Sequence, residues 1–160
     1  RWAPFARPDK DVANTLDYIV QRDNNFKPEV FLSGARSAYE MIITALSDRE
    51  IASIRDLLSH EVYQEFNKEF QIANETGRFQ RTIVVSMDSA FIDQATCNDD
   101  QALISISYRA KLISYTEDSK GLVTSGDKTK IFSADDIWTF AKKVSDPNPN
   151  WVLIDTRSNK

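Results

Sequence analysis

The apolar residues of this chain recur with one period before Gly77 and with another after it. Before Gly77 they fall three and four residues apart, as on one face of a helix. After it they alternate, as on one face of a strand. A chain that changes period once is a block of helices followed by a block of strands, and strands joined by short turns pair antiparallel. The fold class this dictates is α+β, with the helices laid over one face of the sheet.

In the first block, Val12, Leu16, Ile19 and Val20 give the stretch Asp11–Arg22 one apolar edge, with Asp and Asn on the other side. Such an edge serves either to contact a membrane or partner, or to pack on its own domain. Pro28 suits a first helical turn, where its missing N–H costs nothing. From there Phe31, Ala35, Ala38, Tyr39, Ile42, Ile43 and Leu46 form one stripe along a helix of about 30 Å. Gly34 inside it costs about 1 kcal/mol against alanine, so a close backbone neighbour is expected there. Ser47-Asp48-Arg49-Glu50 fits a capping box opening a short third helix through Ile51, Ile54, Leu57 and Leu58. Ser59 caps a fourth, carrying Val62, Phe66 and Phe70, and Gly77 ends it. Residues 1–10, with Trp2 and Phe5, are an extended lead-in.

Four strands are expected in the second block. Thr82–Phe91 alternates through Ile83, Val85 and Met87, and Asp99-Asp100 turns the chain. Ala102–Leu112 then sets Ile104, Ile106, Tyr108 and Ala110 against Ser105, Ser107 and Arg109. The polar stretch Thr116–Lys130 predicts a long mobile loop. The last two strands are Asp136–Lys143 and Trp151–Ile154, separated by Pro147 and Pro149, which break the ladder. Alternation puts Trp138 and Phe140 on one face, and Trp151 with Leu153 on one face of the next strand. Rings of this size gain roughly 1.5–3 kcal/mol each on leaving water, so the long Pro28–Leu46 helix is expected to cover them.

The chemistry-bearing residues are sparse. The net charge of −4 opposes nucleic acid as a partner. One cysteine, Cys97, forbids an internal disulfide, and His60 is the only histidine. No Cys/His spacing suits a metal, and no glycine-rich loop precedes a helix, so neither metal nor cofactor is expected. Asp135-Asp136, just before the Trp138 strand, is the best acidic candidate for a base, though strand-opening aspartates that face water are commoner. No run of about 18 apolar residues exists to span a membrane. A first residue Arg1 rather than Met suggests a fragment, with an anchor or targeting segment upstream.

Four pieces of sequence in order resemble a known family. They are Phe31-Leu32-x-Gly34-Ala35-x-x-Ala38-Tyr39-x-Met41-Ile42, Leu57-Leu58-x-x-Glu61-Val62-Tyr63-x-x-Phe66, Asp136-x-Trp138-Thr139-Phe140-Ala141 and Pro149-Asn150-Trp151-x-Leu153. Together they resemble the Tim44-like domain, found in a mitochondrial inner-membrane translocase subunit and in α-proteobacterial membrane proteins. The resemblance implies a cone-shaped, nuclear-transport-factor-two-like α+β fold, a curved antiparallel sheet and helices enclosing an apolar pocket. It covers residues 11–157 as one domain and leaves 158–160 as a tail.

What the resemblance implies for function is a membrane-associated, non-enzymatic binding module in protein translocation or membrane-protein biogenesis. Its partners would be inner-membrane lipid or an apolar protein segment, and translocase components. Pocket residues expected on this basis are Phe31, Ala35, Tyr39, Tyr108, Trp138, Phe140, Trp151 and Leu153. Membrane or partner contact would fall to Val12, Leu16, Ile19 and Val20. The acidic balance points to a bacterial inner membrane, with the mitochondrial inner membrane as alternative. Lys120, Lys128 and Lys130 lie on the expected loop rather than on the first helix, so vesicle binding should be weak and little affected by salt. Two other readings are an adaptor whose pocket is only structural and a cone-fold isomerase or dehydratase built on a pocket aspartate.

Overall fold

The computed structural model describes residues 2–158. Arg1 of the lead-in and residues 159–160 of the tail lie outside the described residues. Three helices, α1 (Lys10–Arg22), α2 (Pro28–Ser47) and α3 (His60–Thr76), precede five strands. A 3-10 turn, Ala52–Leu57, stands where a third α-helix was expected. The strands are β1 (Phe79–Asn98), β2 (Gln101–Glu117), β3 (Val123–Gly126), β4 (Phe132–Lys143) and β5 (Val152–Ser158), all antiparallel in the order β1-β2-β4-β5, with β3 also on β2. This is the helices-on-curved-sheet α+β cone expected from the sequence, with a short fifth strand added.

The sheet curves because its longest pair is irregular. β1 slips register against β2 at three bulges, between Val84 and Ser86, Met87 and Ser89, and Ile92 and Gln94. Each bulge bends the ladder and deepens its twist. The inner face of β2 carries Ala102, Ile104, Ile106, Tyr108 and Ala110, none more than 1% exposed. α2 lies across it, and two hydrogen bonds fix its position. The Tyr108 hydroxyl donates to the Ala35 carbonyl at 2.8 Å, and the Tyr39 hydroxyl donates to Asp136 Oδ2 at 2.9 Å.

Several local expectations change for identifiable reasons. Ser47 does not open a helix; it is the last residue of α2, and its Oγ accepts from the Thr82 N–H of β1 at 3.0 Å. The helix ends because Arg49 turns left-handed (φ 54°), which lets the Glu50 N–H reach the Ala45 carbonyl. Gly34 has no heavy atom within 4 Å of where a Cβ would stand, so no backbone crowds it. The stretch Thr116–Lys130 is not a loop. β2 runs on to Glu117, Asp118 accepts from the Lys120 and Leu122 N–H groups to make a turn, and β3 returns along β2. Gly126 (φ 82°) admits that return, since a Cβ there would meet Ser114 O and Tyr115 Cα at 2.8 Å.

The lead-in is folded onto the domain. Phe5 and Ala6 N–H groups both donate to the Trp2 carbonyl, and the chain then bridges the outer edge of β1 at Ile92. Trp2 is buried, with its indole N–H on Asp17 of α1.

Candidate functional site

At one end of β4 the helix and sheet part company. α2 begins there at Pro28, and the α1–α2 loop (residues 23–27) and the Pro147–Pro149 loop between β4 and β5 both border the space that is left. The gap is a cavity of about 610 Å³. Pro147 and Pro149 are among its lining residues, and neither can donate to a ladder. Phe26, Phe31 and Trp151 form an aromatic wall, with ring centroids 5.0–5.9 Å apart, and Phe31 meets Phe140 edge-on at 6.4 Å. Gly34, Ala35 and Ala38 present the small-residue face of α2 to the same space. A Cβ added at Gly34 would meet no heavy atom within 4 Å.

One cation is buried in the wall. Lys142, whose side chain is 4% exposed, donates from Nζ to the Lys143 and Asp146 carbonyls at 2.9 Å, with Asp23 Oδ2 4.0 Å away. It ties the β4–β5 loop to the strand end and sits opposite the α1–α2 loop. Arg22, Lys27 and Asp146, all exposed, also line the cavity. Aromatic and aliphatic side chains therefore share the lining with charged and amide ones.

Of the eight residues expected to line a pocket, Phe31, Ala35, Phe140 and Trp151 line this cavity. Tyr39, Tyr108, Trp138 and Leu153 lie deeper, in solid core. Tyr39 stacks 4.7 Å from both Tyr108 and Trp138, and Leu153 is fully buried. Phe26, Val144 and Lys142 were not among the expected residues. Phe26 precedes Pro28 outside the helical stripe, and Lys142 occupies a strand position whose type announces a solvated face.

The membrane-contact residues are placed otherwise than expected. Val12, Leu16 and Ile19 are at most 1% exposed, with α1 packed on β1, and Val20 is half-buried against the same core. A helix edge of four apolar residues is satisfied by the sheet it meets, so none of it is left for a bilayer in this arrangement.

The aspartates are also accounted for. Asp135 is held by a bidentate contact with Arg109, at 2.7 and 3.1 Å, on the outer face of the sheet, and this guanidinium keeps its carboxyl below the usual range. Asp136 is half-buried beside Tyr39; burial pushes its carboxyl up, and the Tyr39 hydrogen bond opposes this. Neither lines the cavity. His60 is the first residue of α3, behind the Ser59 cap, whose Oγ accepts from the Val62 N–H. Cys97 is half-buried near the β1–β2 turn, where burial raises its thiol. Among the described residues no cluster of His, Cys, Asp and Glu is placed to hold a metal, and no helix is long and apolar enough to cross a membrane.

Compared with known proteins, residues 12–158 match the model of the Tim44-like domain. The chain belongs to the Tim44-like domain family. A curated relative, the human mitochondrial import inner membrane translocase subunit TIM44, is 20% identical over 148 residues. That match takes in 91% of this chain but 33% of the relative, so the chain spans about a third of that protein's length. Among solved structures, the intermembrane-space region of the chloroplast protein ARC6 is similar over 94% of this chain and 98% of that one, at 12% identity and a TM-score of 0.49. Membership of the Tim44-like family relates the chain to a subunit of a protein-translocating machine.

Proposed function

We propose that this Tim44-like chain is a non-enzymatic binding module of a protein-translocation or membrane-protein assembly system, working at an inner membrane, and that its cavity takes a lipid tail or an apolar stretch of a client protein. The observation that carries the reading is the cavity itself. It has an aromatic wall of Phe26, Phe31, Phe140 and Trp151, charged side chains beside that wall, and a volume of about 610 Å³, inside the range of roughly 300–1,000 Å³ usual for ligand sites. A fold that only needed packing would close such a space, since unfilled volume costs contacts. Gly34 instead keeps it open at a cost in helix stability. The setting we favour is a bacterial inner membrane, on the strength of the acidic net charge; the curated relative's name carries the mitochondrial alternative.

Native mass spectrometry of the purified chain tests the reading. Bound lipid or peptide that is lost when Gly34→Leu fills the cavity supports it. An empty cavity in preparations from several hosts, with Gly34→Leu fully functional in the cell, would leave a protein–protein adaptor with a structural void. The non-enzymatic part is tested separately: Asp135→Asn and Asp136→Asn should both retain cellular function, and loss on either would favour the isomerase-like alternative.

A further inference from the structure

The outer face of the sheet, turned away from the helices, carries a second set of apolar side chains. Ile137 and Ala141 are 8% and 4% exposed, yet neither belongs to the hydrophobic core that the helices cover. They alternate with Trp138 and Phe140 along β4, so they point away from α2. The register sets Phe91, Ser107 and Ile137 abreast on β1, β2 and β4. Ser105 lies beside Thr139 in the next row, and Leu103 beside Ala141 in the one after. All three helices bury their apolar residues in the core on the inner face, so among the described residues none of them covers this one.

The middle of this face is uncharged. It is made of short hydroxyl and aliphatic side chains beside Phe91, which is 37% exposed. Charges begin at the margin, and there opposite signs stand together. Arg109 holds Asp135 at 2.7 Å and Lys111 holds Asp88 at 3.1 Å at one end. Arg157 follows Asp155 along β5, and Lys143 stands by Asp100 near the β1–β2 turn. A solvated sheet face is ordinarily polar throughout. An uncharged middle inside a charged margin is the anatomy of a protein-binding face.

We propose that this face pairs with the same face of a second copy, sheet against sheet across a twofold axis. Three features select a copy over a different partner. A hydroxyl both donates and accepts, so a face centred on Ser105, Ser107 and Thr139 can bond to itself, as Ser105 and Thr139 do within one chain at 2.8 Å. The margin sets cations beside anions, so two copies of a chain of net charge −4 meet here without bringing their excess acid together. The size also suits. Strands about 4.8 Å apart, β1, β2, β4 and β5, and about 30 Å from Leu103 to Lys111 make roughly 570 Å² in plan. Accessible area exceeds area in plan, which brings the face close to the roughly 800 Å² per partner of a standard interface. In such a dimer both cavities lie on the sides turned away from the contact, and one assembly offers two sites with the avidity that linkage brings. The pairing itself does not depend on what the cavity holds.

Sedimentation equilibrium of the purified chain tests this. The native chain should form a dimer that dissociates on dilution. Phe91→Lys and Ser107→Arg each bring like charges together across the contact and should each weaken the dimer by on the order of a hundredfold or more. Phe91 is already exposed in the single chain, so Phe91→Lys should fold normally, and unchanged circular dichroism and melting check both variants. Gln71→Arg, the same charge change on an exposed position of α3, should dimerise as the native chain does. Gly34→Leu should do so too, so a cavity without a guest and a face without a partner are told apart. The proposal is overturned if the native chain sediments as a monomer at every concentration, or if the dimer survives either outer-face substitution. It is also overturned if Gln71→Arg dissociates the dimer equally. A native monomer holding a different protein that Ser107→Arg releases would overturn it as well, since the face then has another occupant.

Discussion

Asp136 accepts the Tyr39 hydroxyl at 2.9 Å while half-buried, and its carboxyl is raised chiefly by desolvation. A carboxyl raised on folding favours the protonated native state. Its contribution is fully present below the ordinary aspartate pKa of about 3.9 and is lost as pH rises through the raised value. Asp136→Asn keeps an acceptor for Tyr39 and removes the charge. Urea midpoints should therefore show this variant gaining on the native chain as pH rises through that window; equal slopes would contradict the assignment. Asp136→Ala strands the buried hydroxyl and should cost about 1–3 kcal/mol. Trp138, 4% exposed against Tyr39 and Tyr108, should cost about 3–5 kcal/mol as alanine. Phe140→Ala should fall at or below the low end of that range, because one side of its ring borders the cavity.

At the scale of elements, the sequence made the helical block, the three long strands and the final hairpin legible, because burial imposes the periods that were read. Val12, Leu16 and Ile19 were legible as an apolar edge but not as to what covers it, which depends on β1 some seventy residues later. The Thr116–Lys130 ribbon was not legible, since it is exposed on both faces and nothing selects an alternating pattern there. Its signal was turn chemistry, Asp118 with Gly121 and then Gly126. Two glycines separate the explanations. Gly126→Ala should destabilise by more than about 1 kcal/mol, through a left-handed φ and two contacts at 2.8 Å. Gly34→Ala should stabilise by about 0.5–1 kcal/mol, because helix propensity improves and nothing is struck. Thermal melts of the pair check both signs.

At the scale of the molecule, half of the expected pocket became core and the other half became the cavity wall, because the alternation of β4 and β5 specifies which side chains face inward but not where α2 lifts off. That departure is set by the loops at residues 23–27 and 144–151, whose composition says only that they are loops. In the function proposed above, the space between them holds an apolar guest. The most direct measurement is quenching of tryptophan fluorescence by a bromine-labelled acyl chain and by a bromine-labelled apolar peptide. Trp151 lines the cavity while Trp2 and Trp138 are buried elsewhere in the core. Saturable quenching by at least one of the two probes is expected, mostly removed by Trp151→Phe and abolished by Gly34→Leu. Quenching that never saturates with either probe, or that survives both substitutions, would contradict it.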